Sequence, residues 1–351
     1  FKFGCFVKFD TPIDLLGFEE RAEDSSFSFT PENFDQYLGQ ESVKEKLKLY
    51  VDASIQRSEP LDHILLFGPP GLGKTTLANV VAKELGVLSR VTSAPVLERS
   101  GDLVAILSSL APKEILFIDE IHRLPKIVEE TLYSAMENFC VDMIVGQGAG
   151  AKSIRLPISP FTLIGATTKT AMLSGALQTR FGIVERLDFY TDEELSKIVM
   201  QTAEHLNVSI IEDAAFEIGK RARGTPRVAK RMMRRVRDFA QVKNFTKITK
   251  EVSNQALNFL GIDEHGLNKL DREILCHLIK DFGGGPAGLD TLASITGEDK
   301  ETLEDFCEPF LIRIGFLEKT SRGRRIPSRR LLFLRRKLLN STQSGQGALF
   351  D

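Results

Sequence analysis

Residues 64–76 read Ile-Leu-Leu-Phe-Gly-Pro-Pro-Gly-Leu-Gly-Lys-Thr-Thr, and this stretch decides the fold of the chain. The apolar run at 64–67 predicts a buried strand, and the residues from Lys74 onward predict a helix. Between them lies G-x-x-x-x-G-K-T, the pattern of a phosphate-binding loop (P-loop). An accidental glycine-rich turn is the alternative, but the strand before the loop and the helix after it favour a P-loop. We therefore expect a nucleoside triphosphate site.

The P-loop residues have the properties that polyphosphate binding needs. Gly71 and Gly73 allow backbone amides to approach phosphate oxygens, and the helix that follows directs its positive end at them. Lys74 supplies a point charge, and the hydroxyl of Thr75 is a hard oxygen ligand for Mg²⁺. Thr76 continues the same turn. ATP and Mg²⁺ are the predicted cofactors.

A second apolar run, 115–119, ends in two carboxylates, Asp119 and Glu120, and begins 41 residues after Lys74. A P-loop ATPase needs such a pair, because one carboxylate supports the Mg²⁺ shell and the other polarises the attacking water. Asp119 takes the first role and Glu120 the second. An acidic loop at a strand end is the alternative, and the P-loop upstream favours the catalytic interpretation.

Length and composition limit the class of protein. The 351 residues suggest two or three domains, and 42% hydrophobic with 27% charged residues is ordinary for a globular protein. No apolar run approaches the length of a membrane span, so we expect no membrane association. Four scattered cysteines without a C-x-x-C pattern argue against disulfides or zinc and favour a cytoplasmic location.

Charge is unevenly distributed along the chain. Residues 313–337 carry ten Lys and Arg and one acid, a local net charge of +9, whereas the rest of the chain has a net charge of −11. A basic segment on an acidic body suggests an oriented contact with a polyanion.

The middle of the chain predicts a hairpin and a third buried strand. Residues 140–156 form two β-prone arms around a Gly/Ala tip. Met143, Ile144 and Val145 are apolar on both faces of the first arm, so either a partner or neighbouring subunit covers them or they are simply buried. The buried strand 161–166 follows.

Beyond residue 191 the pattern becomes helical. Helices are predicted at 192–205, 212–222, 226–241 and 249–260, and three short helices with a basic, Gly-tipped hairpin follow a linker at 261–266. Three helices and such a hairpin indicate a winged helix, with a small helical bundle and a basic tail as the alternative. The tail from residue 340 is predicted to be disordered, and its last residues have two interpretations: a clamp-binding peptide or an incidental apolar end.

Taken together, several motifs resemble RuvB, the bacterial AAA+ motor family for branch migration of Holliday junctions. The likeness runs from about residue 29 to residue 325, and a P-loop with Asp-Glu alone would not be specific. The motifs are Asp62-His-Ile-Leu-Leu-Phe-Gly-Pro-Pro-Gly-Leu-Gly-Lys-Thr-Thr76, Leu116-Phe-Ile-Asp-Glu-Ile-His-Arg-Leu124, Phe161-Thr-Leu-Ile-Gly-Ala-Thr-Thr168, Arg180-Phe-Gly-Ile183, Arg223-Gly-Thr-Pro-Arg227 and Gly284-Gly-Pro-Ala-Gly-Leu-Asp290.

The resemblance implies an α/β fold with three domains. These are a large AAA+ ATPase domain with a parallel sheet (1–190), a small helical lid (191–261) and a winged-helix, DNA-binding head with a disordered tail (262–351). It further implies a homohexameric ring that acts on double-stranded DNA at Holliday junctions, in recombination, DNA repair and the SOS response. The implied partners are a RuvA-type junction-binding protein and, indirectly, a RuvC-type resolvase.

The resemblance also assigns roles to residues. It implies that Thr168 is the sensor that orients the lytic water, and that Arg180 is an arginine finger that completes a neighbouring subunit's site. The implied catalytic set is Lys74, Asp119, Glu120, Thr168 and Arg180. The implied nucleotide contacts are Phe29, Thr30, Gly71, Gly73, Lys74, Thr75, Thr76, Glu137, Asn138, Phe139, Arg180, Tyr190 and Arg227. The implied DNA contacts are Lys319, Arg322 and Arg324, and the implied partner contacts are Met143, Ile144 and Val145.

Four positions depart from the family pattern. Thr30 and Gln178 stand where the family has arginine, and Ala149 stands where it has proline. Lys319 also replaces an arginine, which keeps the charge and loses the bidentate fork. Two other function classes remain: an AAA+ clamp loader or protein remodeller, against which the basic head argues, and a non-enzymatic, nucleotide-gated DNA-binding protein, against which Glu120 argues.

Overall fold

The computed structural model describes residues 29–145 and 152–340, which divide into two compact units. The first unit comprises 29–206 with 224–230, and the second comprises 207–223 with 231–340. Predictions for the Gly/Ala tip of the hairpin and for the tail beyond residue 340 lie outside the described residues.

A five-stranded parallel sheet forms the centre of the first unit. Its spatial order is β2-β3-β6-β1-β7, so β6 is inserted between the P-loop strand and the strand that ends in the two carboxylates. Central parallel strands are covered on both faces, which explains why they appear in the sequence as continuous apolar runs. The strands are β1 (Ile64–Phe67), β2 (Ser89–Ser93), β3 (Ile115–Asp119), β6 (Thr162–Thr167) and β7 (Ile183–Arg186).

Helices connect and cover these strands. Leu77 at the start of the helix after the P-loop is fully buried, and this helix contacts both β3 and β6. The contact ties the P-loop to the strands that carry the catalytic candidates. The helices of this unit are α1 (Glu41–Arg57), α2 (Lys74–Leu85), α3 (Ser100–Ser108), α4 (Lys126–Asn138), α5 (Gly175–Gln178) and α6 (Asp192–His205).

The predicted hairpin is confirmed as a separate antiparallel pair, β4 (Cys140–Val145) and β5 (Lys152–Pro157). Its base belongs to the core, since Val141 is fully buried. One residue further along, Asp142 pairs with Arg155 across the strands at 2.9 Å. The backbone of residues 143–145 continues β4, whereas their side chains lie outside what the structure describes. Both interpretations of the apolar arm therefore stay open.

The second unit contains helices and one small hairpin. A hydrophobic core built from residues 267–338 holds the predicted three helices and the hairpin together, which confirms the winged helix. The elements are α7 (Glu212–Arg221), the later part of α8 (Pro226–Val242), α9 (Lys250–Phe259), α10 (Lys269–Lys280), α11 (Leu289–Thr296), α12 (Lys300–Thr302), a π-turn (Leu303–Cys307), α13 (Glu308–Arg313), β8 (Glu318–Thr320), β9 (Gly323–Arg325) and α14 (Ser328–Asn340).

The last helix, α14, was missed by sequence reasoning, which predicted no helix between residue 325 and the tail. Leu334 and Leu338 are buried on one face of α14, and the helix packs against α10. The amphipathic pattern of α14 was hard to recognise in the sequence, because its two buried leucines lie among several arginines. The described part of the chain therefore ends in an ordered, strongly basic helix.

Candidate functional site

The P-loop connects β1 to α2 in a conformation that requires glycine. Gly71 and Gly73 have φ angles of +76° and +94°, which L side chains rarely adopt. A Cβ at Gly73 would lie 2.8 Å from Tyr37 Oη, and one at Gly71 would lie 2.8 Å from Thr225 Cγ2. Backbone strain and close neighbours therefore both exclude a side chain here, and bare amides line the loop.

Lys74, the first residue of α2, is held by neutral groups. Its Nζ donates hydrogen bonds to the carbonyl oxygens of Gly68 at 2.9 Å and Pro69 at 3.0 Å. Burial lowers the pKa of Lys74 to about 8; Asp119 and Glu120 raise it and Arg227 lowers it, but burial is the largest effect. A cation in this state gains most from an arriving anion, because no carboxylate must first be displaced.

Glu120 lies directly after β3 in a left-handed conformation, with φ of +49°. Its backbone amide donates to Asp119 Oδ1 at 2.9 Å, which holds the Asp119 carboxylate against the backbone of Glu120. Thr168, directly after β6, donates from Oγ1 to Glu120 Oε2 at 3.3 Å. The inserted strand β6 thus brings the predicted sensor to the predicted general base.

His122 is a functional candidate that sequence reasoning missed. Its side chain is 4% exposed, and its Nδ1 lies 3.3 Å from Glu120 Oε2 and 2.9 Å from Thr167 Oγ1. The hydroxyl of Thr167 also accepts from the backbone amide of Lys169 at 3.0 Å. Burial lowers the pKa of His122, and the nearby Glu120 opposes that shift. The only sequence signal was a histidine two residues after the general base.

Arg180 lies after the short helix α5, and the residues that it contacts differ from those around Glu120 and the P-loop. Its NH2 pairs with Glu137 at 2.9 Å, its NH1 donates to Ala176 O at 2.6 Å, and its guanidinium lies 4.3 Å from the centre of the Tyr133 ring. Its Nε is buried without a hydrogen-bond partner among the described residues. Glu137, expected in the nucleotide pocket, is thus a neighbour of the predicted finger.

The two residues after Glu137 have different environments. Asn138 is exposed, and Phe139 is half-buried with φ of +49°. The ring of Phe139 contacts Phe161 edge to face, with centroids 6.2 Å apart. Phe139 therefore packs beside the β6 strand, and its proposed contact with a nucleotide stays a prediction.

A pair of buried tyrosines contacts the backbone of the P-loop. The hydroxyls of Tyr37 and Tyr190 lie 3.0 Å apart, and Tyr190 Oη donates to Leu72 O at 3.2 Å. Burial is the main effect that raises the pKa of Tyr190 to about 12, so both hydroxyls stay protonated as donors at neutral pH. Tyr190 was predicted to lie against the base, whereas Tyr37 was not recognised as part of the site.

The lid motif approaches the P-loop within the first unit. The amide of Arg227 donates to Gly71 O at 3.4 Å. Lys230, one turn along α8, donates from Nζ to the carbonyl of Phe29 at 3.1 Å, and the ring of Phe29 packs edge-on against His205. Thr30 beside it is exposed. A backbone hydrogen bond therefore holds Arg227 at the loop, whereas the described contacts of Phe29 are with Lys230 and His205.

The three predicted DNA contacts are not equivalent. Lys319 Nζ lies 2.6 Å from Glu308 Oε2 and 3.1 Å from Glu304 Oε1. Arg324 Nε donates to Glu308 Oε1 at 2.6 Å, and Glu308 is 3% exposed. Arg322, between them in the wing, is exposed and forms no ion pair within the described part of the chain. The fold therefore neutralises two of the three cations.

The site also offers ligands for one divalent metal. Thr75 follows Lys74 in α2, and Asp119 ends β3; together they present a hydroxyl and a carboxylate, which are oxygen ligands that Mg²⁺ accepts. Among the described residues, no group of three or more His, Cys, Asp or Glu side chains could hold a metal. Two protein ligands are what a metal shared with substrate phosphates and water requires.

A P-loop after β1, an Asp-Glu pair after β3 and a threonine after the inserted strand β6, followed by a helical lid and a winged helix, define an AAA+ P-loop ATPase. Three family sequence models match: "Holliday junction DNA helicase RuvB P-loop domain" at 29–187, "RuvB AAA lid domain" at 190–263 and "RuvB C-terminal winged helix domain" at 264–335. The chain belongs to the RuvB family.

Solved structures agree with this assignment. The Thermotoga maritima RuvB Holliday junction branch migration motor is 46% identical, with a TM-score of 0.78 over 87% of this chain and 98% of that chain. A point mutant of the same protein is 46% identical, with a TM-score of 0.79 over 88% and 99%. The family match ends at residue 335, so the likeness extends ten residues further than the sequence motifs indicated. No described helix is long and apolar enough to span a membrane.

Proposed function

We propose that this chain is the ATP-hydrolysing subunit of a ring motor that pulls double-stranded DNA through Holliday junctions, in homologous recombination and DNA repair. The single observation that carries the proposal is the arrangement of Glu120, Thr168 and the P-loop at the ends of three neighbouring strands, in a chain of the RuvB family. A P-loop ATPase needs these groups together to hydrolyse ATP.

The chemistry follows from the roles of these side chains. Lys74 places positive charge on the outer phosphates, and the bare amides of Gly71 and Gly73 line the loop they occupy. Glu120 accepts a proton from the water that attacks the γ-phosphorus, and the bond to the bridging oxygen breaks as the new one forms. Thr168 holds Glu120 and the water in line. ADP and phosphate are the products.

Mg²⁺ is the metal that this donor set fits. Thr75 and Asp119 would hold it, and it would neutralise phosphate charge during transfer. The expected consequence is that Thr75→Val weakens the dependence of ATP binding on Mg²⁺, because a methyl group replaces the hydroxyl ligand. Titration of a fluorescent nucleotide with and without Mg²⁺ measures this.

We propose a homohexameric ring, and the environment of Arg180 supports its action between subunits. Its described contacts are with Glu137, Ala176 and Tyr133, which lie outside the P-loop. An arginine that completes the site of a neighbouring subunit needs such a position. Glu137 would hold it until the neighbour's nucleotide arrives.

The hairpin is the proposed docking site for a RuvA-type junction-binding protein, through Met143, Ile144 and Val145. We expect Ile144→Asp or Val145→Asp to abolish docking and to leave basal ATPase intact, because an unpaired charge at an apolar contact costs several kcal/mol. Pull-down with the partner and phosphate release measure the two effects. If both activities collapse together, the arm is part of the core.

The proposed function is tested by phosphate release with and without a four-way junction, followed by a branch-migration assay with a RuvA-type partner. We expect the junction to stimulate hydrolysis and Lys74→Ala to abolish both activities. Hydrolysis stimulated by a protein and not by DNA would indicate a clamp loader or remodeller. The basic winged head favours DNA.

The remaining assignments depend on this function. Domain boundaries at residues 190 and 261, an indirect link to a RuvC-type resolvase, a place in the SOS response and a cytoplasmic location all stay proposals. Limited proteolysis tests the boundaries, since cleavage between compact domains is faster than cleavage within them.

A further inference from the structure

Tyr133 of α4 is the aromatic neighbour of the predicted arginine finger. The guanidinium carbon of Arg180 lies 4.3 Å from the centre of the Tyr133 ring, and NH2 of Arg180 pairs with Glu137 at 2.9 Å. Tyr133 and Glu137 are four residues apart, so they lie on the same face of α4. Two consecutive turns of one helix therefore hold the guanidinium, one through a ring and the other through a carboxylate.

The ring contact suits an arginine that has to bind another group later. Attraction between a cation and the face of an aromatic ring uses none of the N–H groups as hydrogen-bond donors to oxygen. Arg180 accordingly keeps its buried Nε without a hydrogen-bond partner among the described residues. The ring thus restricts the position of the guanidinium and leaves donors for an arriving phosphate.

The hydroxyl of Tyr133 is itself fixed to the segment that carries the finger. Tyr133 Oη donates to Glu129 Oε1 at 2.5 Å, and Ser174 Oγ donates to the same oxygen. Ser174 caps α5, because its Oγ accepts from the amide of Leu177 at 3.1 Å. Arg180 follows α5 by two residues. Glu129 therefore connects the ring beside the finger to the start of the short helix before it.

Glu129 also strengthens the attraction between the ring and the finger. Burial is the largest effect that raises the pKa of Tyr133, and the hydrogen bond to Glu129 raises it further, so the hydroxyl stays protonated at neutral pH. A hydroxyl that donates to a carboxylate is polarised, and this polarisation adds negative charge to the ring face. The guanidinium of Arg180 lies over that face.

We propose that Tyr133 is a positioning residue for the arginine finger: its ring holds the guanidinium of Arg180 in place, and Glu129 and Ser174 fix the ring to α5. The inference rests on the proposed function, which makes Arg180 a finger. Its own support is the geometry of α4 and α5, which places Glu129, Tyr133 and Glu137 at intervals of four residues along one helix face beside the finger.

The first test separates turnover from nucleotide binding. Tyr133→Leu removes the ring and should lower kcat about 2- to 30-fold, which is the contribution of a cation–π contact converted to a rate. The affinity for ATP should be unchanged, because the P-loop of the same subunit is intact. Tyr133→Phe keeps the ring and should stay within about threefold of wild type. Tyr50→Leu is the matched control, an exposed tyrosine of α1 in the same unit, and should leave kcat unchanged.

The second test uses mixed rings, because a finger acts on the neighbouring subunit. Phosphate release is measured for Tyr133→Leu mixed with Lys74→Ala and, at the same ratios, for wild type mixed with Lys74→Ala. Lys74→Ala supplies an intact finger without an active P-loop, so the deficit of Tyr133→Leu relative to wild type should shrink as its share rises. Mixing with Arg180→Ala supplies no finger and should leave the deficit in place.

Thermal unfolding and ATP titration serve as the fold check, and Tyr133→Met is a second variant without a ring if Tyr133→Leu does not fold. A deficit that stays constant at every ratio of Lys74→Ala overturns the inference, because it places the defect in the P-loop site of the same subunit. Turnover of Tyr133→Leu equal to that of Tyr50→Leu also overturns it and leaves the proposed function intact. Normal hydrolysis by Arg180→Ala would instead overturn the finger itself, and with it the proposed action between subunits.

Discussion

The P-loop and the wing each hold cations that the sequence assigns to phosphates, yet the two regions treat them in opposite ways. Lys74 is held by two carbonyl oxygens, and burial lowers its pKa to about 8. Burial also lowers the pKa of Lys319, but hydrogen bonds to Glu308 and Glu304 outweigh burial and the pKa is raised. Lys74 is therefore available to an arriving anion, whereas Lys319 is already paired with two carboxylates.

The comparison suggests a rule for recognising phosphate-binding cations in this chain. A cation held by neutral groups keeps its charge for a ligand, whereas a cation paired with a buried carboxylate contributes to the fold. Arg180 lies between these two cases: it is paired with a carboxylate, but the side chain of that partner, Glu137, is 52% exposed. Such a surface pair is weak enough to exchange for a stronger partner.

The largest expected effect concerns Arg180. Arg180→Ala should bind ATP and hydrolyse it ~10³–10⁵-fold more slowly, which is the contribution of arginine fingers in other P-loop enzymes. Mixing Arg180→Ala with Lys74→Ala should restore some activity, since a mixed interface can combine an intact finger with an intact P-loop. Phosphate release across mixing ratios measures this. No rescue in confirmed mixed rings would contradict action between subunits.

Glu120 and Glu308 provide the next test, because both are carboxylates that contact neighbouring side chains. Glu120→Gln should keep ATP binding and slow hydrolysis roughly 10²–10⁴-fold, since the amide cannot accept the proton of the attacking water. Glu308→Gln is the control and should leave basal ATPase unchanged. Turnover within a few fold of wild type in Glu120→Gln would show that another group activates water.

The pKa of Lys74 predicts a pH dependence of nucleotide binding. A lowered pKa means that Lys74 is fully protonated well below pH 8 and loses its charge as pH rises above 8. The affinity of the free protein for ATP should therefore fall above pH 8, approaching about tenfold per pH unit, with uptake of a proton on binding. Calorimetry in two buffers with different ionisation enthalpies measures that proton. A constant affinity from pH 7 to 9.5 would contradict the prediction.

The smallest effects separate the residues of the wing. Arg322→Ala should reduce the salt slope of DNA binding by about 0.9, because it removes one phosphate contact. Arg324→Ala should reduce the slope by roughly one unit as well, and it should also lower the stability of the head by about 1.5–3 kcal/mol, since a buried carboxylate loses a charged hydrogen bond. Thermal unfolding and binding isotherms of both variants decide this. An unchanged slope in both variants would place the DNA contact elsewhere in the chain.

The amino-acid sequence by itself determined much of this protein. The strand and helix around the P-loop, the strand that delivers Asp119 and Glu120, and the two arms of the hairpin at 140–145 and 152–157 are confirmed. Each could be predicted because it depends on local patterns of apolar residues, glycines and turns. The family also followed from short motifs. Helix α14 was the exception: its buried leucines lie among arginines, and the amphipathic pattern was too sparse to recognise.

Only the tertiary structure decided which side chains meet. The insertion of β6 between β3 and β1 brings Thr168 to Glu120 and Thr167 to His122 across more than 40 residues of sequence. Folding of the head likewise brings Glu308 to Arg324, so that a predicted DNA contact is also paired with a buried carboxylate. Local patterns cannot encode these pairs, because the free energy of a charge depends on the groups that the fold places around it.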